Sequence, residues 1–146
     1  MFDVESITWM VYLETHSCVN PIYLSKNQII IKGSGKELEV VTKTTYDFND
    51  IKRLVDGLFR EFSNFEFTIY RLLYNISGEL DHLLIPKSIA RQKMKTINIT
   101  DDIEVTIYKN GKFSFTCENE EHIEIIYSRF YQKISLLLVQ DCVEIA

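Results

Sequence analysis

Few residues of this chain have both the type and the spacing that chemistry requires. Gly33-Ser34-Gly35-Lys36 has the glycines and the lysine that end a phosphate-binding loop. Such a loop also needs a glycine at the position of Ile30 and a hydroxyl residue at the position of Glu37. Because the Glu37 carboxylate would repel a phosphate, we predict a hairpin turn here and no nucleotide site.

The other residues with catalytic or metal-binding potential are scattered. The three histidines, His16, His82 and His122, are too far apart for the common metal-ligand spacings. Three acidic residues precede a predicted strand, as they commonly do in solvated turns: Asp101, Asp102 and Glu104. The sequence therefore predicts no catalytic residue, no metal and no cofactor, and a protein that is not an enzyme.

Two amphipathic helices, at about residues 49–62 and 119–139, are the clearest structural elements. Their apolar residues recur with the period of a helix and therefore share one face. Asp47 or Asn49 can cap the first helix and Asn119 the second, because these side chains accept hydrogen bonds from free N–H groups. The residues expected in the core are Leu58, Phe59, Phe62, Ile126, Tyr127 and Phe130.

The rest of the chain is predicted to be mainly strands, because runs of β-branched and aromatic residues alternate with turn signals. The predicted strands are Ile7–Leu13, Gln28–Lys32, Leu38–Thr42, Phe65–Tyr74, Leu80–Ile85, Ile103–Tyr108 and Phe113–Cys117. Asn75–Gly78 is expected to be a turn, and residues 86–96 a loop or one short helical turn. Asn110-Gly111 predicts a type I′ hairpin turn. These elements predict one α+β domain, residues 1–146, with a mainly antiparallel sheet packed on the two helices.

One pattern occurs twice in the sequence. Ile30–Lys36 and Thr106–Lys112 each read as a strand and a turn that ends in Gly-Lys, and each is followed by a second strand and an amphipathic helix. A sheet with both helices on one face would bury both apolar stripes. The sequence thus favours two hairpin–helix repeats, with chance recurrence of a common unit as the alternative.

Composition and cysteine usage favour an intracellular protein with a substantial core. The chain has 46% hydrophobic and 25% charged residues, which is ordinary globular usage. Cys18, Cys117 and Cys142 form no close pair, so we expect three reduced, mostly buried thiols in a reducing compartment. No stretch is apolar for long enough to span a membrane, and the N-terminus lacks the features of a secretion signal.

Charge is distributed unevenly along the chain. The net charge of −5 arises in residues 97–146, which carry 9 acidic and 4 basic residues, whereas residues 1–96 carry 12 of each. Four glutamates cluster at the start of the second helix: Glu118, Glu120, Glu121 and Glu124. Four basic residues lie in a stretch without acidic ones: Lys87, Arg91, Lys93 and Lys95. Solubility alone is the alternative explanation of the mild acidity.

The segment Ile103–Ile134 resembles the closing unit of a TATA-box-binding-protein repeat. That unit has a strand, a turn of the Ser-Gly-Lys type, a strand that ends in Thr-Gly, and a long helix. Here Val105–Thr116 supplies the hairpin, with Asn110-Gly111-Lys112 at the turn, and Phe67–Leu73 resembles the preceding strand. Cys117 replaces the glycine of the family. The resemblance implies a sheet that binds duplex DNA, but the paired phenylalanines that kink DNA in the family have no identified counterpart in the sequence.

The leading hypothesis is a non-catalytic binding protein that blocks or neutralises a macromolecular partner. Small bacterial immunity proteins and phage anti-defence proteins are similar in being acidic, intracellular and α+β. The partner would be a basic protein, which would contact the glutamates at the start of the second helix. The alternative is a divergent TATA-binding-like transcription factor that binds duplex DNA through its sheet, with the four clustered basic residues on the phosphates. A homodimer is left open.

Overall fold

The computed structural model describes residues 2–14, 19–59 and 66–145, which contain eight strands and two long helices. The strands are β1 (Phe2–Leu13), β2 (Val19–Lys26), β3 (Ile29–Gly35), β4 (Glu37–Thr42), β5 (Phe67–Glu79), β6 (Met94–Asn98), β7 (Glu104–Tyr108) and β8 (Lys112–Cys117). The helices are α1 (Phe48–Phe59), the short α2 (Lys87–Ala90) and α3 (Ile123–Ile145), with single 3₁₀ turns at His82–Leu84 and Glu120–His122. The predicted α+β class, with a mainly antiparallel sheet and two long helices, is confirmed.

The chain forms two compact units with the same order of elements. The N-terminal unit is Glu5–Tyr74, and the C-terminal unit is Met1–Val4 with Asn75–Ala146. Hydrogen bonding orders the strands β2-β3-β4-β1-β5-β8-β7-β6. In each half of this order the first strand in sequence pairs with the fourth, the fourth with the third and the third with the second. A long helix follows the fourth strand in both, as the repeated hairpin–helix pattern predicted.

In the N-terminal unit, α1 packs on one face of β1, β3 and β4. Its buried side chains are Ile51, Val55 and Phe59, which share one side of the helix. They join a core cluster of alternate strand residues: Ile7, Trp9, Val11, Leu13, Ile31, Leu38 and Val40. The Nε1 atom of Trp9 donates a hydrogen bond of 2.9 Å to the Thr42 hydroxyl, so the buried indole keeps its polar atom satisfied.

In the C-terminal unit, aromatic rings join α3 to β8. Phe113 of β8 lies 4.8 Å from the ring of Phe130 and 5.9 Å from that of Tyr127, measured between centroids. The ring of Phe2 also contacts Tyr127, at 4.6 Å between centroids and tilted by 45°. The burial of β8 alternates strictly, with Phe113, Phe115 and Cys117 under the helix and the residues between them exposed. Within the described residues, each sheet portion therefore has one face covered by a long helix and one more exposed face, which we call the open face.

The two long helices lie at the predicted positions over most of their length, and a predicted residue caps the start of each. The Asp47 carboxylate accepts a bond from the N–H of Asp50, and the Asp50 carboxylate accepts one from the N–H of Asp47, both at 2.9 Å. This reciprocal cap begins α1 as predicted, and the bond from the Asp50 N–H lowers the pKa of Asp47. Asn119 accepts a bond of 3.0 Å from the N–H of Glu121 and caps the turn before α3, which runs on to Ile145.

The core prediction was right for most positions and wrong for one. Phe59, Ile126 and Phe130 are buried, and Tyr127 is half-buried. Leu58 is 39% exposed, because the buried side of α1 follows the i, i+4 spacing of Ile51, Val55 and Phe59. Phe62 lies outside the described residues.

Strand predictions failed where polar residues occupy strands. β2 and β6 were not predicted, since each is an edge strand that is largely exposed, and three of the five residues of β6 are polar. The predicted turn at Asn75–Gly78 lies inside β5, and the predicted strand Leu80–Ile85 contains a 3₁₀ turn instead. Residues 86–96 include the short helix α2, as one alternative proposed, and then the start of β6.

The type I′ turn occurs at a different hairpin from the one predicted. Lys26 pairs with Ile29, and the two residues between them, Asn27 and Gln28, have φ angles of 53° and 65°. Positive φ at both central positions defines a type I′ turn. The pairing of Ile107 with Phe113 instead leaves a longer loop around Asn110-Gly111, in which Gly111 alone has positive φ, at 90°.

The expectation that the cysteines are mostly buried is wrong for Cys142. Cys117 is buried, and burial raises the pKa of its thiol, but Cys142 is exposed on α3. Cys18 lies outside the described residues. In the described ranges no helix has the length and apolar character needed to cross a membrane.

The packing of α3 gives a first stability prediction. Phe130 is 0% exposed and stacks on Phe113, so Phe130→Ala should lower the free energy of unfolding by about 3–5 kcal/mol. Leu58→Ala should cost less, about 1–2 kcal/mol, because that side chain is 39% exposed and therefore only partly buried. Urea unfolding followed by circular dichroism measures both. Equal losses for the two variants would contradict the buried sides assigned to the helices.

Gly33 gives a second stability prediction. Its φ is +150°, and a Cβ atom there would lie 2.2 Å from the backbone oxygen of Glu37. Gly33→Ala should therefore lower the free energy of unfolding by about 1–3 kcal/mol. Gly57→Ala is the matched control, because Gly57 lies in α1 with nothing within 4 Å of the added methyl, and it should stabilise the helix by about 0.5–1 kcal/mol. Similar effects of the two substitutions would show that the β3–β4 hairpin does not have this close approach.

Candidate functional site

The four clustered basic residues predicted as nucleic-acid contacts lie along one edge of the C-terminal unit. Lys87 begins α2, Arg91 ends it, Lys93 precedes β6, and Lys95 lies in β6, the outermost strand. The backbone N–H of Lys87 donates a bond of 2.8 Å to the Asp141 carboxylate on α3, which ties α2 to that helix. Lys95 is half-buried, and the other three side chains are exposed.

Strand pairing adds two lysines that are distant in sequence. The backbone N–H of Lys109 donates a bond of 3.4 Å to the carbonyl of Lys93, so the two residues are neighbours. Lys112 follows in the same turn and begins β8. Segments 87–98 and 105–116 together carry six basic residues and no acidic one. We call this set the basic edge: Lys87, Arg91, Lys93, Lys95, Lys109 and Lys112.

Beside the basic edge, the open face of the C-terminal unit carries small hydroxyl residues. Thr96 pairs with Thr106, and Thr106 pairs with Ser114, so the three residues form one row across β6, β7 and β8. Their neighbours along each strand, such as Ile107 and Phe113, are buried under the helix. The row can donate and accept hydrogen bonds without adding charge.

Two large side chains flank this row at the end nearest the turn. Met94 and Tyr108 are directly paired across β6 and β7, and they are 52% and 42% exposed. Each is adjacent in sequence to a lysine of the basic edge: Lys93 precedes Met94, and Lys109 follows Tyr108. The open face therefore presents an apolar and aromatic pair between cationic side chains.

The predicted acidic contact residues form a separate surface. Glu120 and Glu121 occupy the 3₁₀ turn, Glu124 lies in the first turn of α3, and all are exposed, as is Glu118. Carboxylates at this end complement the helix dipole. Burial raises the pKa of Tyr127, and Tyr131 and Glu124 raise it further. These contacts explain local stability and do not by themselves identify a partner.

The other residues considered for chemistry do not come together. Asp101 and Asp102 lie in the turn before β7, and Glu104 begins that strand. In the described part of the chain, no three His, Cys, Asp or Glu side chains are placed so that they could hold a metal ion together. His82 and His122 are exposed in separate 3₁₀ turns. His16 lies outside the described residues.

Sequence reasoning found part of this site and missed part of it. The residues missed were Met94, Tyr108, Lys109 and Lys112, since β6 was not predicted to be a strand and its pairing with β7 was therefore unknown. One signal in the sequence could have indicated Lys109 and Lys112. Residues 105–116 contain no acidic residue, and the same is true of the stretch that contains Lys87.

Comparison with known proteins identifies the fold and no closer relationship. No protein-family model matches the chain, and no curated protein sequence matches it significantly. Among solved structures, the TATA-box-binding protein (TBP) of Methanococcus jannaschii matches with a TM-score of 0.52 and 10% sequence identity, over 92% of this chain and 98% of that one. The chain therefore has a TBP-like fold, as the resemblance of Ile103–Ile134 implied. This match gives no support to the likeness to immunity and anti-defence proteins.

Proposed function

We propose that this protein is a non-catalytic DNA-binding protein that holds duplex DNA on the open face of its C-terminal unit. The observation that carries the proposal is the basic edge, whose six cations come from two segments without acidic residues, beside the exposed Met94–Tyr108 pair. Lysine and arginine side chains neutralise phosphates, and a protein gains most of its sequence-independent affinity in this way. The TBP-like fold supports the proposal, because it makes an uncovered sheet face the natural place for a duplex.

The three parts of the open face have separate roles in this proposal. The basic edge contacts phosphates and sets the position of the duplex. The hydroxyl row, represented by Thr106, lies where base edges or sugars would approach and offers uncharged donors and acceptors. Met94 and Tyr108 present apolar surface that can stack on a base or enter a base step, as apolar side chains do in proteins that bind the minor groove.

The overall charge of −5 limits how strongly the protein binds DNA. Many of the acidic residues lie away from the basic edge, including the glutamates at the start of α3. At short range the basic edge attracts phosphates, while at long range the net charge repels the polyanion. Binding should therefore weaken as salt rises, because salt competes with each phosphate contact, but less steeply than for a basic protein, because salt also screens the long-range repulsion.

Neutralising the basic edge tests the proposal. Lys93→Ala and Lys109→Ala should each reduce the slope of log K against log salt by about one unit, because each would remove a phosphate contact. Tyr108→Ala should weaken binding by about 1–3 kcal/mol with the slope unchanged, because it removes stacking and not charge. Fluorescence anisotropy with a labelled duplex, between about 50 and 200 mM salt, measures both effects.

The matched control is Lys52→Ala, which removes the same charge from α1, where Lys52 lies 4.9 Å from the ring of Phe48. This variant should keep the affinity and the salt slope of the wild type. No binding by the wild type near 50 mM salt would refute the proposed function, and so would unchanged slopes for the Lys93 and Lys109 variants. Turnover of a phosphodiester, peptide or nucleotide substrate by the purified protein would refute the non-catalytic part.

A second candidate function is the binding of a basic protein, which the protein would block or neutralise. The exposed glutamates at the start of α3 favour it, since they concentrate negative charge on one surface. Opposite charges on two proteins accelerate their encounter more than they slow their separation.

The second candidate has its own test. Once a partner is obtained, changing Glu120, Glu121 and Glu124 to lysine should reduce the association rate more than it changes the dissociation rate, and the loss should shrink as salt rises. Surface plasmon resonance at several salt concentrations separates the two rates. If the variants associate at the wild-type rate, these glutamates do not contact the partner and only stabilise the start of the helix.

A further inference from the structure

The repeated topology allows the open faces of the two units to be compared position by position. The sequence match of Ile30–Lys36 with Thr106–Lys112 places Lys32 at the position of Tyr108. The structure supports this equivalence, because the preceding residues, Ile31 and Ile107, are both buried under a helix. The cross-strand partner of Lys32 is Tyr23, and the cross-strand partner of Tyr108 is Met94.

On the next strand the two units carry opposite charges. The residue paired with Lys32 is Glu39, whose carboxylate lies 3.5 Å from the Lys32 ammonium. The pairing of Ile107 with Phe113 places Lys112 opposite Tyr108. The sequence match aligned Lys112 with Lys36, but strand pairing shows that Glu39 is its structural counterpart.

A second carboxylate strengthens the difference. Glu37 pairs with Ser34 on one side and with Tyr12 on the other, and it lies two residues before Glu39 on the same face of β4. Glu39 compensates the Lys32 charge, and Glu37 compensates the charge of the adjacent exposed Lys36, so this hairpin carries no net positive charge. A phosphate approaching these strands would meet two carboxylates that offset the lysines, whereas the basic edge presents six cations, with carboxylates nearby at Asp141 and Glu104.

We infer that Glu37 and Glu39 confine nucleic acid to the C-terminal unit and make recognition one-sided. This inference rests on the proposed function, because it assigns the contacts of that function to one of two topologically equivalent faces. The exposed Tyr23 is then not a contact residue, although it occupies the position that corresponds to Met94. The two carboxylates are specificity residues that act by excluding phosphates.

Loss-of-contact variants provide the first arm of the test, with the same labelled duplex and salt series. Tyr23→Ala and Lys32→Ala should keep the dissociation constant within about twofold of the wild type, whereas Tyr108→Ala should weaken binding about fivefold or more. Thermal melts of each variant verify folding. If Tyr23→Ala or Lys32→Ala weakens binding as much as Tyr108→Ala does, the inference is overturned while the proposed function stands.

A gain-of-contact variant provides the second arm. Glu37→Lys combined with Glu39→Lys should tighten binding and steepen the salt slope by up to about 0.9 for each new phosphate contact. Glu37→Gln with Glu39→Gln removes the repulsion without adding cations and should tighten binding by a smaller factor. If both double variants bind like the wild type, the carboxylates do not confine the nucleic acid. Wild-type protein that binds no duplex would overturn the inference together with the proposed function.

Discussion

The burial of Phe113 between β8 and α3 is the contact on which the arrangement of the C-terminal unit depends. Successive side chains of a strand point to opposite faces, so fixing Phe113 under Phe130 and Tyr127 fixes the direction of every other residue in β8. Because β8 pairs with β7 and β7 pairs with β6, the register of β8 also determines which residues of β7 and β6 face the helix. A slip of one residue would bury the hydroxyl row and expose the apolar core, which is why aromatic packing on one face determines the chemistry of the other.

The two long helices could be predicted from the sequence because helical periodicity is a local property. The buried residues of each helix recur within one segment, so α1 and α3 were recognisable without knowledge of the sheet. The error within the helices arose from a small angular difference, because Leu58 lies at the border of the buried side and is 39% exposed. The prediction of a hairpin at Asn110-Gly111 was correct, while its turn type depended on the pairing register, which is not a local property.

The candidate site was less predictable than the fold, because the chain brings its residues together through strand pairing. Lys87 and Arg91 were visible as a cluster since they are close in sequence, but the contact between Lys93 and Lys109 exists only once β6 pairs with β7. The β6 strand itself carries weak propensity signals, because an edge strand exposes much of its surface and tolerates polar residues. The glutamates before α3 were recognisable, but charge patterning alone does not distinguish a partner surface from a helix cap.

The hairpins of the two units also differ in length, and this has a steric consequence. Beyond the pair of Lys32 and Glu39, the β3–β4 hairpin continues for two more residue pairs, Gly33 with Leu38 and Ser34 with Glu37. The β7–β8 hairpin turns immediately after Tyr108. At a rise of about 3.3 Å per residue, the longer hairpin adds an overhang of about 7 Å. A rigid ligand surface shaped to the end of one hairpin would therefore need a different outline to fit the end of the other.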